Sequence, residues 1–409
     1  MITLLKKKPC ILITSLLCCL VLTPVYSSDI DQEEDDNEWD ITQPQGDMQT
    51  ITIDTTESTW SNLSVSEDGQ AMVFDMLGDI YTMSIVGGEA TPLVQGFDWN
   101  MQPTYSPDGK TIAFISDRDG ASNLWVMDAN GSNLRQISTE KTALIHTPSW
   151  SPDGDYIAVT KGFMSSRSIP AGEIWMYHRS GGDGVMVTER AYGPHTQKNM
   201  TDPAFSPDGK YLYYTDDVTS GRIWEYGKNS TTELFNIMRH DLETGESSSY
   251  IGGAGGAIVP TPSPDGKYMA YLKREDTKTV LYIKDLKSGV DRRLSTEMER
   301  DHQETFGSEG NFAYFDWTPD SQHIVYWTAG KFHRLNIDSL DVSLIPMHIK
   351  IEKQVQQSPR YLVDVAPDTF DVKMIRWASM SPTNGSVVYQ ALGKLYLRDV
   401  KSGRVKRLT

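Results

Sequence analysis

Ser106-Pro107-Asp108-Gly109 recurs as Ser151-Pro152-Asp153-Gly154, Ser206-Pro207-Asp208-Gly209 and Ser263-Pro264-Asp265-Gly266. Proline at the first central position of a turn presets φ, while Asp-Gly supplies a side-chain hydrogen bond and a backbone free to reverse. Each copy therefore reads as the turn of a hairpin. Around the first, Pro103-Thr104-Tyr105 leads into the turn and Thr111-Ile112-Ala113-Phe114-Ile115 leaves it, a pairing of short strands. The polar loop Ser116-Asp117-Arg118-Asp119-Gly120 follows, then Leu124-Trp125-Val126-Met127, a second turn at Asp128-Ala129-Asn130-Gly131, and Leu134-Arg135-Gln136-Ile137-Ser138. The module has four strands.

Degenerate copies extend the series to Ser66-Glu67-Asp68-Gly69, Thr318-Pro319-Asp320-Ser321 and Ser381-Pro382-Thr383-Asn384. Successive anchors stand 40, 45, 55, 57, 55 and 63 residues apart, near the ~40–50-residue period of propeller blades with insertions in the later copies. The expected fold is all-β, a β-propeller of four-stranded blades. Seven anchors imply about seven blades; the alternative is six closed blades with one belonging to a second propeller, because edge strands must be paired or covered. Trp125, Trp175, Tyr282 and Tyr396 recur on the third strands and are expected to pack between neighbouring blades, since a lone sheet cannot bury both faces.

The amino terminus reads Lys6-Lys7-Lys8, an apolar run from Ile11 to Leu22, and Thr23-Pro24-Val25-Tyr26-Ser27, the pattern of a secretory signal over residues 1–27. Cys10, Cys18 and Cys19 all lie inside it, so the mature chain carries no thiol for a disulfide, a zinc-thiolate site or a cysteine nucleophile. Formal charge is −17, and losing the three lysines would make it −20, which argues against nucleic acid or an anionic membrane surface as partner. Residues 28–47 are expected to be an acidic disordered segment, with eight carboxylates between Asp29 and Asp40. The repeats then fill 48–409. Within that span Met48 to Thr56 alternates and looks like an extra strand, either closing the ring against the last blade or pairing with something absent from this chain.

Insertions at Lys161–Ala171, Asp216–Glu233 and Ile345–Met374 are candidates for a contact surface, a cap over the central channel, or a docking element. The eight histidines, His146, His178, His195, His240, His302, His323, His333 and His348, show no His-x-His or His-Glu-x-x-His spacing. Gly-x-Ser-x-Gly and phosphate-loop patterns are missing too. No catalytic, cofactor-binding or metal-binding residue is assigned.

The Ser-Pro-Asp-Gly modules with their Ile-Ala-Phe and Leu-Trp-Val-Met-Asp runs resemble the TolB-type propeller repeat of secreted bacterial proteins. More narrowly, Phe74–Tyr81, Ala171–His178, Pro260–Lys267 and Val365–Phe370 resemble the amino-terminal propeller region of large exported amidohydrolases related to imidazolonepropionase. The resemblance implies a periplasmic or secreted, non-catalytic module with a gating or docking role. A divalent metal is expected only in an amidohydrolase domain downstream, which would be its partner. Two other readings stay open: a stand-alone TolB-like propeller binding a periplasmic protein, and the propeller of a prolyl-oligopeptidase-like serine peptidase.

Overall fold

The structure, a computed structural model, describes residues 40–409 except 225–228, 230, 296, 304–308, 359 and 362. The signal-like stretch 1–27 and residues 28–39 of the acidic segment lie outside the described residues. Among those described, the regular structure is strand, with two three-residue 3-10 turns at Ser166–Ser168 and Gly193–His195. The described residues divide into two compact units, one built on Asp54–Ile349 with residues 40–43, the other on Pro44–Ile53 and Lys350–Thr409.

The first unit holds six four-stranded antiparallel sheets, one per anchor from Ser66 to Thr318. Their innermost strands are Leu63–Val65, Asn100–Tyr105, Leu144–Trp150, Met200–Phe205, Ile258–Pro262 and Asp316–Trp317, for blades 1 to 6. Each anchor forms the turn the sequence predicts. In blade 2 the Ser106 hydroxyl donates to Asp108 Oδ1 (2.7 Å) and accepts from the Thr111 amide (3.0 Å), and Asp108 accepts from the Lys110 amide. Gly109 sits at φ 67°, in the left-handed region that favours glycine. These bonds hold the turn carboxylate below its ordinary pKa, chiefly through the serine hydroxyl.

Hydrophobic cores lie between blades, not within them. Val73, Ile80, Ile112, Phe114 and Met127 join blades 1 and 2, with Trp125 packed on the cluster. Trp175 packs on the cluster between blades 2 and 3, and Tyr282 on that between blades 4 and 5. These three aromatics do what the repeat predicted. Blade 6 meets blade 5 through Trp317 Nε1, which donates to the Thr261 carbonyl (2.9 Å), and through the Ser321 hydroxyl, which accepts from the Asp265 amide.

The ring closes between blades 6 and 1. The Phe74 and Phe332 rings meet edge to face at 4.8 Å, and the Ser58 amide donates to the Gly330 carbonyl. Asp316 Oδ2 accepts from the Val65 amide (2.8 Å) and from the Ser64 hydroxyl (3.0 Å). Six blades thus complete the circle, which settles the seven-or-six alternative for this unit. The seventh anchor forms a separate four-stranded sheet in the second unit: Arg376–Met380, Ser386–Ala391, Lys394–Asp399 and Val405–Arg407. There Tyr396 stacks on Tyr389 of its own sheet at 5.6 Å.

Other expectations are corrected. The strand Met48–Thr55 pairs with Met347–Gln356, whose first residues run parallel to Gly88–Glu89, so it belongs to a small three-stranded sheet and not to a blade. Residues 347–356 of the third insertion are strand. The first insertion is also mostly strand, because Tyr156–Met164 and Pro170–His178 pair without a break and leave only a five-residue turn. Of the acidic segment, Asp40 accepts from the Thr42 amide and hydroxyl, and the Asp47 carbonyl accepts from the Gln357 amide.

Candidate functional site: the central channel

The residue four places before each anchor reads Asn62, Gln102, Thr147, Asp202, Val259 and Tyr314. Gln102, Thr147, Asp202 and Val259 take φ between 54° and 58°, and the pairing register shifts beside each of them. A shift of this kind bends an inner strand and re-aims the side chain at that place. Each of the four is followed by a proline, Pro103, Pro148, Pro203 and Pro260, which keeps the preceding residue out of the helical region.

These positions form a closed hydrogen-bonded circuit about the channel. Asn62 donates to Asp75 through both its amide and Nδ2 (2.8 Å each), and the Gln102 amide donates to Asp75 Oδ2 (2.7 Å). The Thr147 amide donates to Gln102 Oε1 (2.6 Å), and the Thr147 and Thr160 hydroxyls share a hydrogen bond (2.6 Å). Thr160 continues to Thr201 at 3.4 Å, and Thr201 to Asp202 Oδ1 at 3.2 Å. Tyr314 Oη then donates to Asp202 Oδ1 (3.1 Å), and the Tyr314 amide donates to Asn62 Oδ1 (3.0 Å), returning to the start. Blade 5 joins from the side, the Val259 amide donating to Thr215 Oγ1.

Burial dominates the electrostatics. It pushes Asp75 and Asp202 up to about 6 against the hydrogen bonds they accept, and it does the same to Asp316. Tyr314 is driven well above its ordinary value by burial and by the neighbouring Asp202. The Thr215 hydroxyl also bonds the Asp202 carboxylate, but Asp202 Oδ2 has no well-aligned donor, although the residue is only 2 % exposed.

On the face opposite the anchor turns, Glu309 and Gly310, from the stretch joining blade 5 to blade 6, lie over the channel. Gln102 Nε2 donates to the Glu309 carbonyl (2.6 Å), and a Cβ on Gly310 would stand 3.5 Å from Asp202 Oδ1. His302 stacks on Trp60 at 4.5 Å, and Phe312 packs on the same indole. Asp301 anchors the segment through Arg274 Nη2 (2.5 Å) and the Thr279 hydroxyl (2.6 Å). A cavity of about 460 Å³ opens beside this cap, with Met101 and Ile145 among its apolar walls and Ile41, Trp99, His146 and Glu309 at its sides. Burial pulls His146 down to about 3, so the imidazole is neutral.

The first two insertions come together on this side. Gln197 Nε2 donates to the Ser166 carbonyl in the blade 3 turn, its amide donates to the Arg222 carbonyl, and its Oε1 accepts from the Trp224 amide. Beneath them Lys161 stands 3.9 Å from the Trp175 ring and pairs with Glu140 at 2.6 Å. The buried Lys198–Asp217 pair (3.2 Å) lies beside Asp216, which burial and Asp217 push up to about 7.

The histidines do not gather: His146 is buried alone, His178 and His240 bond to Ser180 and Ser247, His333 stacks on Tyr326, and His348 lies between Asp54 and Glu89. Among the described residues no three His, Cys, Asp or Glu side chains are placed to hold one metal ion. Sequence reasoning missed the circuit and the cap. Its signal was available, since the column four residues before the anchors is polar in five of the six blades.

Residues 62–179 match the TolB beta propeller domain. The fold is shared with TolB from Acinetobacter baumannii, at a TM-score of 0.51 and 19% identity over 70% of this chain and 65% of that one. In sequence, the chain is 34% identical over 161 residues to the "Uncharacterized peptidase YuxL" of Bacillus subtilis, covering 32% of this chain and 24% of that protein. It is 28% identical over 239 residues to the "Putative Tricorn-like protease C-terminal subunit" of Sulfurisphaera tokodaii, covering 54% of this chain and 26% of that one. The chain thus spans about a quarter of the length of these two curated relatives.

Proposed function

Taking the six-bladed ring with its TolB beta propeller segment as premise, we propose that the chain is the non-catalytic propeller part of an exported hydrolase acting on carbon–nitrogen bonds. Its role is docking or gating beside a catalytic domain. The observation that carries this reading is the match to two peptidase-named relatives over only a quarter of each, since peptide hydrolysis is itself cleavage of a carbon–nitrogen bond. The narrower assignment, an amidohydrolase with a divalent metal in its catalytic domain, rests on the runs Phe74–Tyr81, Ala171–His178, Pro260–Lys267 and Val365–Phe370. The periplasmic address rests on the leader pattern ending near Ser27. The circuit at Asp202 and the cap above it favour docking at a face over passage of substrate through the ring.

A second reading, a prolyl-oligopeptidase-like serine peptidase, is favoured by the name of the Bacillus relative. The two differ in chemistry, so one experiment separates them. The product of the complete reading frame is purified from the periplasm and assayed on N-acyl amino acids and aminoacyl anilides. Loss of turnover with a chelator and its return with zinc support the amidohydrolase. Labelling by a fluorophosphonate with indifference to chelator supports the serine peptidase. Neither activity, with a stoichiometric protein partner recovered, would replace both by the stand-alone adaptor. Residues 1–409 alone are expected to show no amidase or peptidase turnover with added zinc.

A further inference from the structure

The channel is blocked at Asp202 from the cap side, yet it is open from the side of the anchor turns. Two cavities of about 280 and 220 Å³ share Ser64, Thr104, Ser149, Trp150 and Asp316 in their walls, so they are successive parts of one passage. The outer part is rimmed by the turns, including Ser66, Ser106 and Pro319. The inner part ends on Asp202 and Tyr314. The chemistry changes with depth. Two places before the anchors stand hydroxyls and a carboxylate, Ser64, Thr104, Ser149, Thr261 and Asp316. One place deeper is an apolar collar of Pro103, Pro148, Pro203 and Pro260 with Leu63 and Phe315. Beyond the collar lies Asp202.

From the hydroxyl ring to Asp202 is two strand residues, about 7 Å at the usual rise. That is roughly the reach of an extended lysine side chain. Asp316 is already saturated, its Oδ2 by Ser64 and Val65 and its Oδ1 by the Trp317 amide. Asp202 is different, because its carboxylate is met only by the Thr215, Tyr314 and Thr201 hydroxyls, the last two on Oδ1, and Oδ2 has no well-aligned donor. A buried carboxylate met by hydroxyls alone at the end of an apolar collar is complementary to a cation on an apolar stem. Tyr314 Oη spends its proton on Asp202 and is also met by the Thr147 hydroxyl, which leaves one lone pair for a further donor.

We propose that the passage receives a primary ammonium group on an unbranched apolar stem, an alkylamine or a lysine side chain, entering between the anchor turns and ending on Asp202 Oδ2 and Tyr314 Oη. The stem lies against the four prolines. A neutral alcohol of equal length lacks the charge that Asp202 requires. The excess of acidic groups over the whole chain, −17, draws cations toward the mouth. This inference is independent of the hydrolase reading, since it concerns the ring alone.

The test is calorimetric titration of the full chain with n-pentylamine, with 1-pentanol as the neutral isostere and Nα-acetyl-lysine methylamide as the peptide form. Saturable binding of pentylamine at one site without binding of pentanol is expected. Asp202→Asn is expected to weaken it about tenfold or more, the worth of a charge-assisted bond, with the unfolding profile retained. Should that variant not fold, the comparison of pentylamine with pentanol on the unaltered chain decides. Binding of pentylamine alone assigns the site to free amines, and binding of both amines extends it to lysine side chains. Equal binding of pentanol, unchanged affinity in Asp202→Asn, displacement of the amine by calcium at constant ionic strength, or no saturable heat would each overturn the proposal.

Discussion

Blade 6 and the seventh sheet begin from nearly the same local instructions and end in different environments. Thr318 and Ser381 each hydrogen-bond across a turn five residues long, with Thr318 N to the His323 carbonyl at 2.9 Å and Ser381 N to the Ser386 carbonyl at 2.8 Å. Four places before its anchor the seventh sheet carries Trp377, at φ 50° beside a register shift, as the inner strands of blades 2 to 5 do at their own positions. One place before the anchor, Trp317 is buried between blades 5 and 6 and only 2 % exposed. Its counterpart Met380 is 67 % exposed, and Trp377 is 76 % exposed. The difference teaches that anchor chemistry makes the hairpin, while burial comes only from a neighbouring copy.

The largest expected effect follows from closure. Phe332→Ala removes the ring that meets Phe74 and should destabilise the first unit by about 3–5 kcal/mol, while Met380→Ala should move the second unit by about 0.5 kcal/mol or less. Urea unfolding of the two variants, with each unit followed by its own probe, measures both. Equal losses would mean that the seventh sheet is held by packing after all.

The circuit supplies the next effect. Asp75→Ala strips the acceptor from Asn62 and from the Gln102 amide, buried groups whose unmet donors should cost about 3 kcal/mol at neutral pH. The seventh sheet has no such circuit among the described residues, so the loss should be confined to the first unit. The same carboxylates give the ring a pH signature. Asp75, Asp202 and Asp316 rise from the ordinary 3.8 to about 6 on folding, so the folded state binds more protons between those values. Their contribution to stability is fully present below the unfolded pKa and is lost as pH rises through about 6. Asp75→Asn should make that fall shallower, as read from urea midpoints at intervals from pH 4.5 to 7.5. The turn carboxylates Asp68, Asp108, Asp153 and Asp208 shift the other way, so their contribution holds above 3.8 and is lost as pH falls below it.

What the sequence disclosed tracks how local each cause is. Ser-Pro-Asp-Gly makes its turn within five residues, and Trp125, Trp175 and Tyr282 repeat at a fixed offset from it, so the blades and their packing were legible. Blade number was not, because closure depends on Phe332 meeting Phe74 across 258 residues of chain, and no turn encodes that encounter. The circuit was written in the column from Asn62 to Tyr314, but it becomes visible only when the anchors are superposed and the residues before them compared. The cap was missed for a different reason. Segment 297–315 carries no anchor and no alternation, and Asp301 and Glu309 within it are placed by Arg274 and by Gln102.

The smallest effect tests whether the anchor turn is independent of its surroundings. Gly109 and Gly385 lie at φ 67° and 65°, where a side chain is strained by about 1–2 kcal/mol. A Cβ at Gly109 would stand 3.4 Å from Glu67 Cβ, an ordinary contact, and one at Gly385 would meet nothing within 4 Å. Space therefore does not distinguish them, and alanine should cost the same at both. Because the strain is confined to the turn, it should appear as about 5–30-fold faster amide exchange at Ser106 in Gly109→Ala and at Ser381 in Gly385→Ala. A clearly smaller acceleration at Ser381 would show that the seventh turn already opens without its ring, and that a neighbouring blade stabilises even a hairpin that its own anchor residues form.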